Sequence, residues 1–494
     1  MMEETPLSQI DDIMRQATLA FEAFRHFTPE ARAALLEAIA VEIEALGDTL
    51  INTACEESNL PAARLSGERG RTTGQLRLFA ALVKEGSWVD AVIDTALPDR
   101  APPRPDLRKM LFPIGPVVVF GAGNFPLAFS TAGGDTASAL AAGCSVVIKA
   151  HPAHPATSTL VFEAIQRAIA RCNAPTHLVQ HVLGNGFAIG RTLVEHPATK
   201  AVGFTGSAAG GKSLLAYAQQ RDEPIPVFAE MGSINPVVLL PQALSTRAEA
   251  IANAYAGSIT LGMGQFCTNP GLLLAIDGPE LDRFLPLLAQ AFNQTPPAKM
   301  LHTGIHTAYM DKMKAALAQK GVDTIAQIVV NDDDIVPDMA IAQVDSHTFI
   351  DNPLLKEEVF GPYSLVVRCR DAADLESVLQ ACGGQLTITF MTETEEIAGH
   401  RALVEKAAQL AGRVVFNGVP TGVEVSAAMM HGGPYPAASD SRFTSVGTDA
   451  IKRWARPVCF QNCPEVLLPP ELHNENPMQI IRRVNSNFTH KAIT

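Results

Sequence analysis

The sequence has few of the features that mark secreted, membrane-bound or nucleic-acid-binding chains. Its 8 cysteines are scattered, with no C-x-x-C pair and no zinc-finger spacing, so we expect neither a disulfide framework nor a bound metal. Basic residues number 38 against 51 acidic ones, and the net charge of −13 argues against nucleic acid or an anionic membrane as partner. Prolines and glycines break the uncharged run over residues 110–134, so no membrane helix is expected there. The acidic N-terminus resembles neither a signal nor a transit peptide, and we expect a reduced, cytoplasmic protein.

The order of apolar patterns predicts an α/β protein. The chain of 494 residues is too long for one hydrophobic core. Its N-terminal region has helical spacing, as in "ARAALLEAIAVEIEALGDTL", after a Thr-Pro-Glu start that suits a helix N-terminus, and is followed by a Pro/Arg-rich connector. From Phe112 onward, short β-branched runs alternate with helical segments, such as the helix predicted from Pro155 to Arg171, which is typical of a parallel doubly wound sheet. A second set of such runs begins near Pro236, with a helix predicted from Arg247 to Ser258, and predicts a second α/β domain.

One short motif suggests a nucleotide hydrolase. Residues Gly206 to Ser213 of "TGSAAGGKS" match the pattern G-x-x-x-x-G-K-[ST] of phosphate-binding loops, with Lys212 at the lysine position. Such an enzyme also needs a carboxylate for Mg²⁺ after a second apolar strand, and Asp277 in "LLLAID" is placed for that role. An ATPase is therefore one hypothesis.

Three other motifs together favour covalent chemistry on a cysteine. Cys267 lies among glycines in "GMGQFCTNPG", where a turn would present the thiol as a nucleophile. Glu230 in "FAEMGSINP" ends a strand and suits a general base, and Asn124 in "GAGNFP" suits an amide donor to an oxyanion. Each alone is also explained as a buried thiol, a capping carboxylate or a turn residue. Together they supply what forming and hydrolysing a thioester requires.

Seven motifs carry a resemblance to a known family. They are "NFP" at Asn124, "VVIKAHPAHP" around Lys149, "VGFTGS" at 203–207, "AEMGS" at Glu230, "GQFCTNPG" at Cys267, "EEVFGP" at 357–362 and "RVVFNG" at Asn417. In this order and over nearly the whole length, the chain resembles the aldehyde dehydrogenase superfamily. The "FCTNPG" loop and the segment "HGGPYPAASDSRFTSVG" most resemble the branch of α-ketoglutaric semialdehyde (2,5-dioxopentanoate) dehydrogenases and related NADP-dependent enzymes.

The resemblance implies a fold of two doubly wound parallel-sheet domains with a small β oligomerisation arm. The implied dinucleotide-binding domain covers residues 1–98 and 114–235, and the catalytic domain covers residues 236–445. The arm and tail cover residues 99–113 and 446–494, in a homodimer or homotetramer.

The resemblance also implies the catalytic roles. Cys267 attacks a small aldehyde substrate, while Asn124 and the Cys267 backbone N–H hold the oxyanion. After hydride transfer, Glu230 activates the water that hydrolyses the thioester. An ATPase hypothesis leaves these three residues unexplained. A relative that binds the cofactor without turnover is a further alternative.

For the cofactor, the resemblance implies that Lys149 binds the adenosine ribose or its 2′-phosphate. Gly206 and Ser207 lie where the pyrophosphate meets a helix N-terminus. Glu358 holds the nicotinamide ribose, with Phe360 packed beside it. No metal is implied.

Three departures from the family pattern bear on specificity. Met231-Gly232-Ser233 replaces the commoner Leu-Gly-Gly beside the nicotinamide. Pro152 stands where many NAD-specific members have an acid, so we expect NADP, with NAD as the alternative, and consider His151 and His154 as additional donors. A substrate carboxylate calls for an arginine, and Arg442 and Arg453 are the candidates in the tail. A medium-chain aliphatic aldehyde is the competing substrate.

Overall fold

The computed structural model describes residues 4–330 and 334–493. Its α-helices, in chain order, are α1 (Ile10–Phe24), α2 (Pro29–Glu44), α3 (Gly47–Ser58), α4 (Ala62–Glu85), α5 (Gly134–Ala142), α6 (Pro155–Arg171), α7 (Phe187–Glu195), α8 (Ala208–Gln219), α9 (Pro241–Thr260), α10 (Pro279–Asn293), α11 (Thr303–Leu317), α12 (Ser346–Asp351), α13 (Ala372–Cys382), α14 (Thr394–Ala398) and α15 (Arg401–Leu410). None of the helices in these residues is long and apolar enough to cross a membrane.

The helix starts follow local sequence chemistry. At the start of α2 the Thr28 hydroxyl accepts a hydrogen bond from the Ala31 N–H at 3.3 Å, with Pro29 in the first turn, as the sequence predicts. Helix α9 begins at Pro241, six residues before the predicted start at Arg247. Arg247 itself has non-helical backbone angles, so the helix is kinked where the sequence pattern places its beginning.

The strands, in chain order, are β1 (Val92–Asp94), β2 (Leu107–Pro113), β3 (Val117–Phe120), β4 (Val146–Lys149), β5 (Val179–Val182), β6 (Ala201–Thr205), β7 (Val227–Glu230), β8 (Pro236–Leu239), β9 (Leu272–Ile276), β10 (Asp323–Ile328), β11 (Met339–Asp345), β12 (Tyr363–Cys369), β13 (Gln385–Met391), β14 (Ala411–Phe416), β15 (Ala455–Gln461), β16 (Arg482–Val484) and β17 (Asn487–Thr489). Within the described residues they form three sheets.

The first sheet has the order β5-β4-β3-β6-β7, and its neighbouring strands are parallel. Successive side chains of β3 enter different apolar clusters. Val117 and Val119 pack on the face covered by α2, α4 and α6, whereas Val118 packs on the face covered by α1, α7 and α8. This alternation buries both faces, which explains the unbroken apolar runs in the sequence. The predicted doubly wound sheet is confirmed.

The second sheet has the order β10-β11-β12-β9-β8-β13-β14 and packs in its own apolar cluster. Its strands are parallel except for β10, which pairs antiparallel with β11 at one edge. The second sheet is therefore parallel with one antiparallel edge strand. Only Ala326 is buried in β10, so its sequence lacks the apolar run that identifies the buried strands.

The third sheet has the order β15-β2-β1-β16-β17 and joins the arm to the tail. Strand β15 pairs antiparallel with β2, with Val458 opposite Met110. The tail also supplies β16, which pairs parallel with β1. Residues 92–94, which the sequence analysis places with the dinucleotide-binding part, thus belong to the same sheet as the arm. The domain ranges themselves stay a prediction.

The carboxyl ends of the strands in the first sheet bring several predicted site residues to one edge. Asn124 follows β3, Gly206 and Ser207 follow β6, and Glu230 is the last residue of β7. Ligands of open α/β sheets bind at such edges. The loop between α9 and β9 brings Cys267 to this edge from the second sheet.

Candidate active site

A cavity of about 370 Å³ lies between the first and second sheets and holds the predicted site. Among the predicted site residues it is lined by Asn124, Gly206, Ser207, Glu230, Cys267, Glu358 and Phe360. Lys149 is the predicted site residue that does not line it. The other lining residues include His151, His302, Tyr309 and Lys312. The fold therefore assembles the catalytic and cofactor candidates in one place.

Cys267 is held on a turn, as the sequence predicts. The Asn235 amide donates hydrogen bonds of 2.9 Å to the carbonyl oxygens of Cys267 and Asn269, which fixes the backbone on both sides of the turn. Burial, together with the neighbouring charges of Glu230 and Glu358, raises the pKa of the Cys267 thiol well above its ordinary value. At neutral pH the resting thiol thus keeps its proton and needs a nearby base to become a nucleophile.

Glu230 is that neighbour, and its two carboxylate oxygens differ. Oε2 accepts a hydrogen bond of 2.6 Å from the Ser445 hydroxyl, whereas Oε1 is buried and lies 3.0 Å from Nε2 of His431. Burial acts to raise the pKa of Glu230, but the charge of His431 and hydrogen bonds from His431, Ser445 and Cys267 outweigh it. The net result is a pKa below the ordinary value. Glu230 is therefore ionised at neutral pH and can accept a proton.

His431 completes this cluster and was missed by the sequence analysis. Its Nε2 lies 3.0 Å from Oε1 of Glu230 and 3.4 Å from Sγ of Cys267. Its backbone is fixed by hydrogen bonds with Thr444 and Ser445. The signal was present, because His431 opens the segment "HGGPYPAASDSRFTSVG" that marks the branch.

The cluster also bears on the metal prediction. One ligand atom from each of Glu230, Cys267 and His431 lies within 4.8 Å of the others, a spacing that also suits a metal ion. The expectation of no metal stays a prediction.

Asn124 lies at the mouth of the same cluster. Its side-chain N–H donates to the carbonyl of Gln265 at 3.2 Å, two residues before Cys267. Its own backbone carbonyl accepts from the Arg64 guanidinium at 2.9 Å. Since an amide nitrogen carries two N–H groups, the second one remains for a ligand in the cavity.

The other end of the cavity has hydrogen-bond donors for the phosphates of a dinucleotide. Ser207 caps α8, and its hydroxyl accepts from the Gly210 N–H at 3.2 Å, so the positive end of this helix faces the cavity. A Cβ on Gly232 would lie 2.4 Å from the Glu358 carboxylate, so backbone and carboxylate approach closely there. Burial raises the pKa of Glu358 to about 7. Phe360 lines the wall beside it.

Lys149 ends β4 and is half-buried outside the cavity wall. Burial lowers the pKa of its ammonium group, and the charge of Glu4 opposes that shift. Glu4 is fixed near the end of β5, where its carboxylate accepts from the Asn185 N–H at 3.0 Å. Glu4 of the N-terminal segment therefore provides a carboxylate near Lys149, where Pro152 provides none.

The two histidines considered as additional cofactor donors do not supply positive charge. Burial, with the neighbouring His154, His302 and Lys149, lowers the pKa of His151 to about 3. Burial also lowers the pKa of His154, whose Nε2 lies 2.9 Å from the Ala122 carbonyl. The rings stack at 5.3 Å as neutral groups.

Lys212 and Asp277 do not form the phosphate and Mg²⁺ site that the ATPase hypothesis requires. Lys212 is exposed on α8, with its ammonium 5.9 Å from the Tyr435 ring centroid. Asp277 follows β9 in the other sheet and is paired with Arg368. The motif match at Gly206 therefore marks a strand-to-helix turn, and the ATPase hypothesis is wrong.

The two arginines proposed for a substrate carboxylate are occupied elsewhere. Arg442 is exposed and pairs with Asp440 at 2.5 Å. Arg453 is buried, with a hydrogen bond of 2.7 Å to Asp135. Each guanidinium is therefore held by its own carboxylate.

Comparisons with known proteins agree with this geometry. The model of the aldehyde dehydrogenase family matches residues 2–434. The chain is 52% identical over 475 residues to α-ketoglutaric semialdehyde dehydrogenase 2 of Azospirillum brasilense, covering 95% of this chain and 90% of the relative. It is 46% identical over 498 residues to α-ketoglutaric semialdehyde dehydrogenase of Acinetobacter baylyi, covering 99% and 93%.

Among solved structures, a betaine aldehyde dehydrogenase double mutant of Staphylococcus aureus in complex with NAD⁺ has the same fold. It matches with a TM-score of 0.78 at 20% identity, over 94% of this chain and 91% of that one. The similarity extends over both sheets and the site between them, and the chain belongs to the aldehyde dehydrogenase family.

Proposed function

We propose that this protein oxidises α-ketoglutaric semialdehyde to the corresponding dicarboxylate, with NADP as the acceptor and NAD as the alternative. The observation that carries the proposal is the meeting of Cys267, Glu230 and His431 beside the cavity between the two sheets. The substrate is supported by two relatives, 52% and 46% identical, whose names state this activity.

The first step is activation of the thiol. Glu230 is ionised, so it takes the proton of Cys267 as the sulfur attacks the aldehyde carbon. The carbonyl oxygen becomes an oxyanion on the thiohemiacetal. We assign the second Asn124 N–H and the Cys267 backbone N–H as its hydrogen-bond donors.

The second step is oxidation. NAD(P), when bound, would supply the hydride acceptor. Collapse of the oxyanion expels hydride from the former aldehyde carbon to that acceptor and leaves a thioester on Cys267. In this proposal Glu358 and Phe360 would hold the ribose and ring of the cofactor, and the N-terminus of α8 would bind its phosphates.

The third step is hydrolysis of the thioester. Glu230 first releases to solvent the proton that it took from Cys267. It then removes a proton from water, the hydroxide adds to the acyl carbon, and the Cys267 thiolate leaves and is reprotonated by Glu230. His431 lies against Glu230 and keeps the carboxylate ionised for this step. The products are a carboxylate and the free enzyme.

The preference for NADP is supported by the ammonium group of Lys149 and by Pro152 in place of an acid. The charge of Glu4 near Lys149 favours NAD instead, since a carboxylate repels a 2′-phosphate. The preference between NADP and NAD therefore depends on the opposing charges of Lys149 and Glu4.

The proposal is tested by following absorbance at 340 nm with both nucleotides. The substrates are α-ketoglutaric semialdehyde and pentanal, an aldehyde of the same chain length that lacks the carboxylate and the ketone. We expect turnover with the acid, a lower kcat/KM for pentanal, and loss of both in Cys267→Ala. Equal kcat/KM for the two aldehydes would overturn the substrate, and full activity of Cys267→Ala would overturn the mechanism.

We also propose that the protein is a cytoplasmic homodimer or homotetramer. The third sheet and tail leave apolar side chains exposed, including Phe488 at 77%, Val466 at 88% and Leu467 at 69%. Exposed apolar patches of this kind mark contact surfaces. Light scattering of the purified protein tests this: a monomer would contradict it.

A further inference from the structure

Arg71 lies on α4 beside the catalytic cluster. Its guanidinium carbon is 5.1 Å from the centroid of the Phe129 ring, and that ring is 6.3 Å from the ring of His431. His431 in turn lies 3.4 Å from the sulfur of Cys267. Arg71 is thus connected to Cys267 by successive side-chain contacts.

The charge of Arg71 acts on the same cluster. Burial lowers the pKa of Arg71, while Cys267, Glu68, Glu230 and Glu424 oppose that shift in decreasing order. An arginine stays protonated even so. A positive charge therefore persists within electrostatic reach of the reacting sulfur.

The hydrogen-bonding groups of Arg71 are unused. Its Nε and Nη2 are buried and have no partner among the described residues. Burying such donors without acceptors is costly, so an arginine in this state indicates a missing ligand. Nε and Nη2 form one edge of the guanidinium fork, which matches the two oxygens of a carboxylate.

Two other arginines of the site, Arg64 and Arg413, each leave one buried nitrogen without a partner among the described residues, whereas Arg71 leaves two. Arg64 donates to the Asn124 carbonyl at 2.9 Å. Arg413 donates to the carbonyls of Pro420 and Gly422 at 2.6 and 3.0 Å. Both support the backbone of the site.

The nearest carboxylate on the same helix does not neutralise Arg71. Oε1 of Glu68 accepts the backbone N–H groups of Leu127 and Ala128 at 2.8 and 3.0 Å. No hydrogen bond or ion pair joins Glu68 to Arg71 within residues 4–330 and 334–493. The open edge of the guanidinium is therefore left for a ligand.

We propose that Arg71 binds the distal carboxylate of the substrate through Nε and Nη2, and so selects short aldehydes that end in a carboxylate. This inference rests on the proposed function. The aldehyde carbon then reaches Cys267 on one side, while the carboxylate lies against Phe129 and Arg71 on the other. Arg71 replaces Arg442 and Arg453 as the residue that recognises the acid.

The test compares kcat/KM for α-ketoglutaric semialdehyde and for pentanal in the wild type, Arg71→Met and Arg71→Lys. Arg442→Met serves as the matched control, because its guanidinium is exposed and paired outside the cavity. A charge-assisted, two-pronged contact predicts that Arg71→Met lowers the ratio of acid to pentanal about 10- to 100-fold. Arg71→Lys keeps the positive charge but lacks the two-pronged guanidinium, so we expect its ratio to lie between those of the wild type and Arg71→Met.

Using the ratio removes effects common to both substrates. Arg71 also acts on the charge of Cys267, so a loss of thiol reactivity lowers both kcat/KM values and cancels. A wild type that prefers the acid, with Arg71→Met keeping that preference, would overturn the role of Arg71 and leave the proposed function intact. A wild type with no preference for the acid would overturn the proposed function itself.

Discussion

Nε2 of His431 lies 3.0 Å from Oε1 of Glu230, and both side chains are almost fully buried, at 1% and 4% exposure. A carboxylate buried this deeply without a partner would be protonated at neutral pH. The imidazole and the Ser445 hydroxyl keep it ionised. The base for thiol activation and for thioester hydrolysis thus depends on a neighbour outside the familiar motifs.

The first prediction concerns this pair. His431→Gln removes the charge that opposes burial, so the pKa of Glu230 rises. Because the base must be deprotonated to work, the acidic limb of the kcat profile moves to higher pH. On the acidic limb, below both pKa values, kcat falls about tenfold for each unit by which the pKa of Glu230 rises. A pH–rate profile with an unmoved acidic limb would contradict the role of His431.

Ser445→Ala is the companion variant. Its hydroxyl donates to the other oxygen of Glu230 at 2.6 Å, and losing it also raises the pKa of the carboxylate. We expect a shift in the same direction and of smaller size, because a neutral donor is replaced. A shift to lower pH would contradict the proposed electrostatics.

Cofactor choice is predicted to depend on two residues of opposite charge. Lys149→Met removes the cation that faces the 2′-phosphate and raises KM for NADP about 10- to 100-fold, with a smaller effect on NAD. Glu4→Gln removes the repulsive carboxylate and raises kcat/KM with NADP about fivefold relative to NAD. Steady-state kinetics with both nucleotides measures the ratio. If neither variant changed it, the 2′-phosphate would lie elsewhere.

Glu358 predicts a pH dependence of cofactor binding. Its pKa is raised to about 7 by burial, so the carboxylate that accepts the ribose hydroxyls is lost as the pH falls below that value. The Kd for the nucleotide, measured by fluorescence quenching, should therefore rise on acidification from pH 8 to pH 6 (about one unit on either side of the pKa). Glu358→Gln should bind weakly at both values and lack this dependence. A flat wild-type profile would contradict the assignment.

The sequence predicts most of the architecture because the buried strands are apolar on both faces. Runs such as "VVVF" and "SVVIKA" leave few alternatives to a parallel sheet, and the helix at Pro155 to Arg171 matches the structure end to end. In the edge strand Asp323–Ile328 only Ala326 is buried, so its residues show no apolar pattern that predicts a strand. Its antiparallel pairing with β11 therefore has no signal in its own sequence.

The site was predicted where chemistry is local, as at Cys267 and Glu230, whose turns and strand ends are visible in the sequence. His431 and Arg71 were not predicted because their roles depend on contacts with residues far away in the sequence. His431 is 164 residues from Cys267, and its local signal is its position at the start of the segment "HGGPYPAASDSRFTSVG". Arg71 is recognised only once its donors are found buried and unpaired. Tertiary contacts of this kind have no spacing that a sequence displays.

The most direct test of the account uses Glu230→Gln, which keeps the shape of the base but cannot take a proton from water. Mixed rapidly with α-ketoglutaric semialdehyde and excess NADP, it should give slow reduced-nucleotide formation limited to one equivalent per active site. Intact-mass analysis should then find the acyl group on Cys267, and Cys267→Ala should give neither signal. Steady turnover of Glu230→Gln at the wild-type rate, with no acyl group on Cys267, would contradict the thioester mechanism.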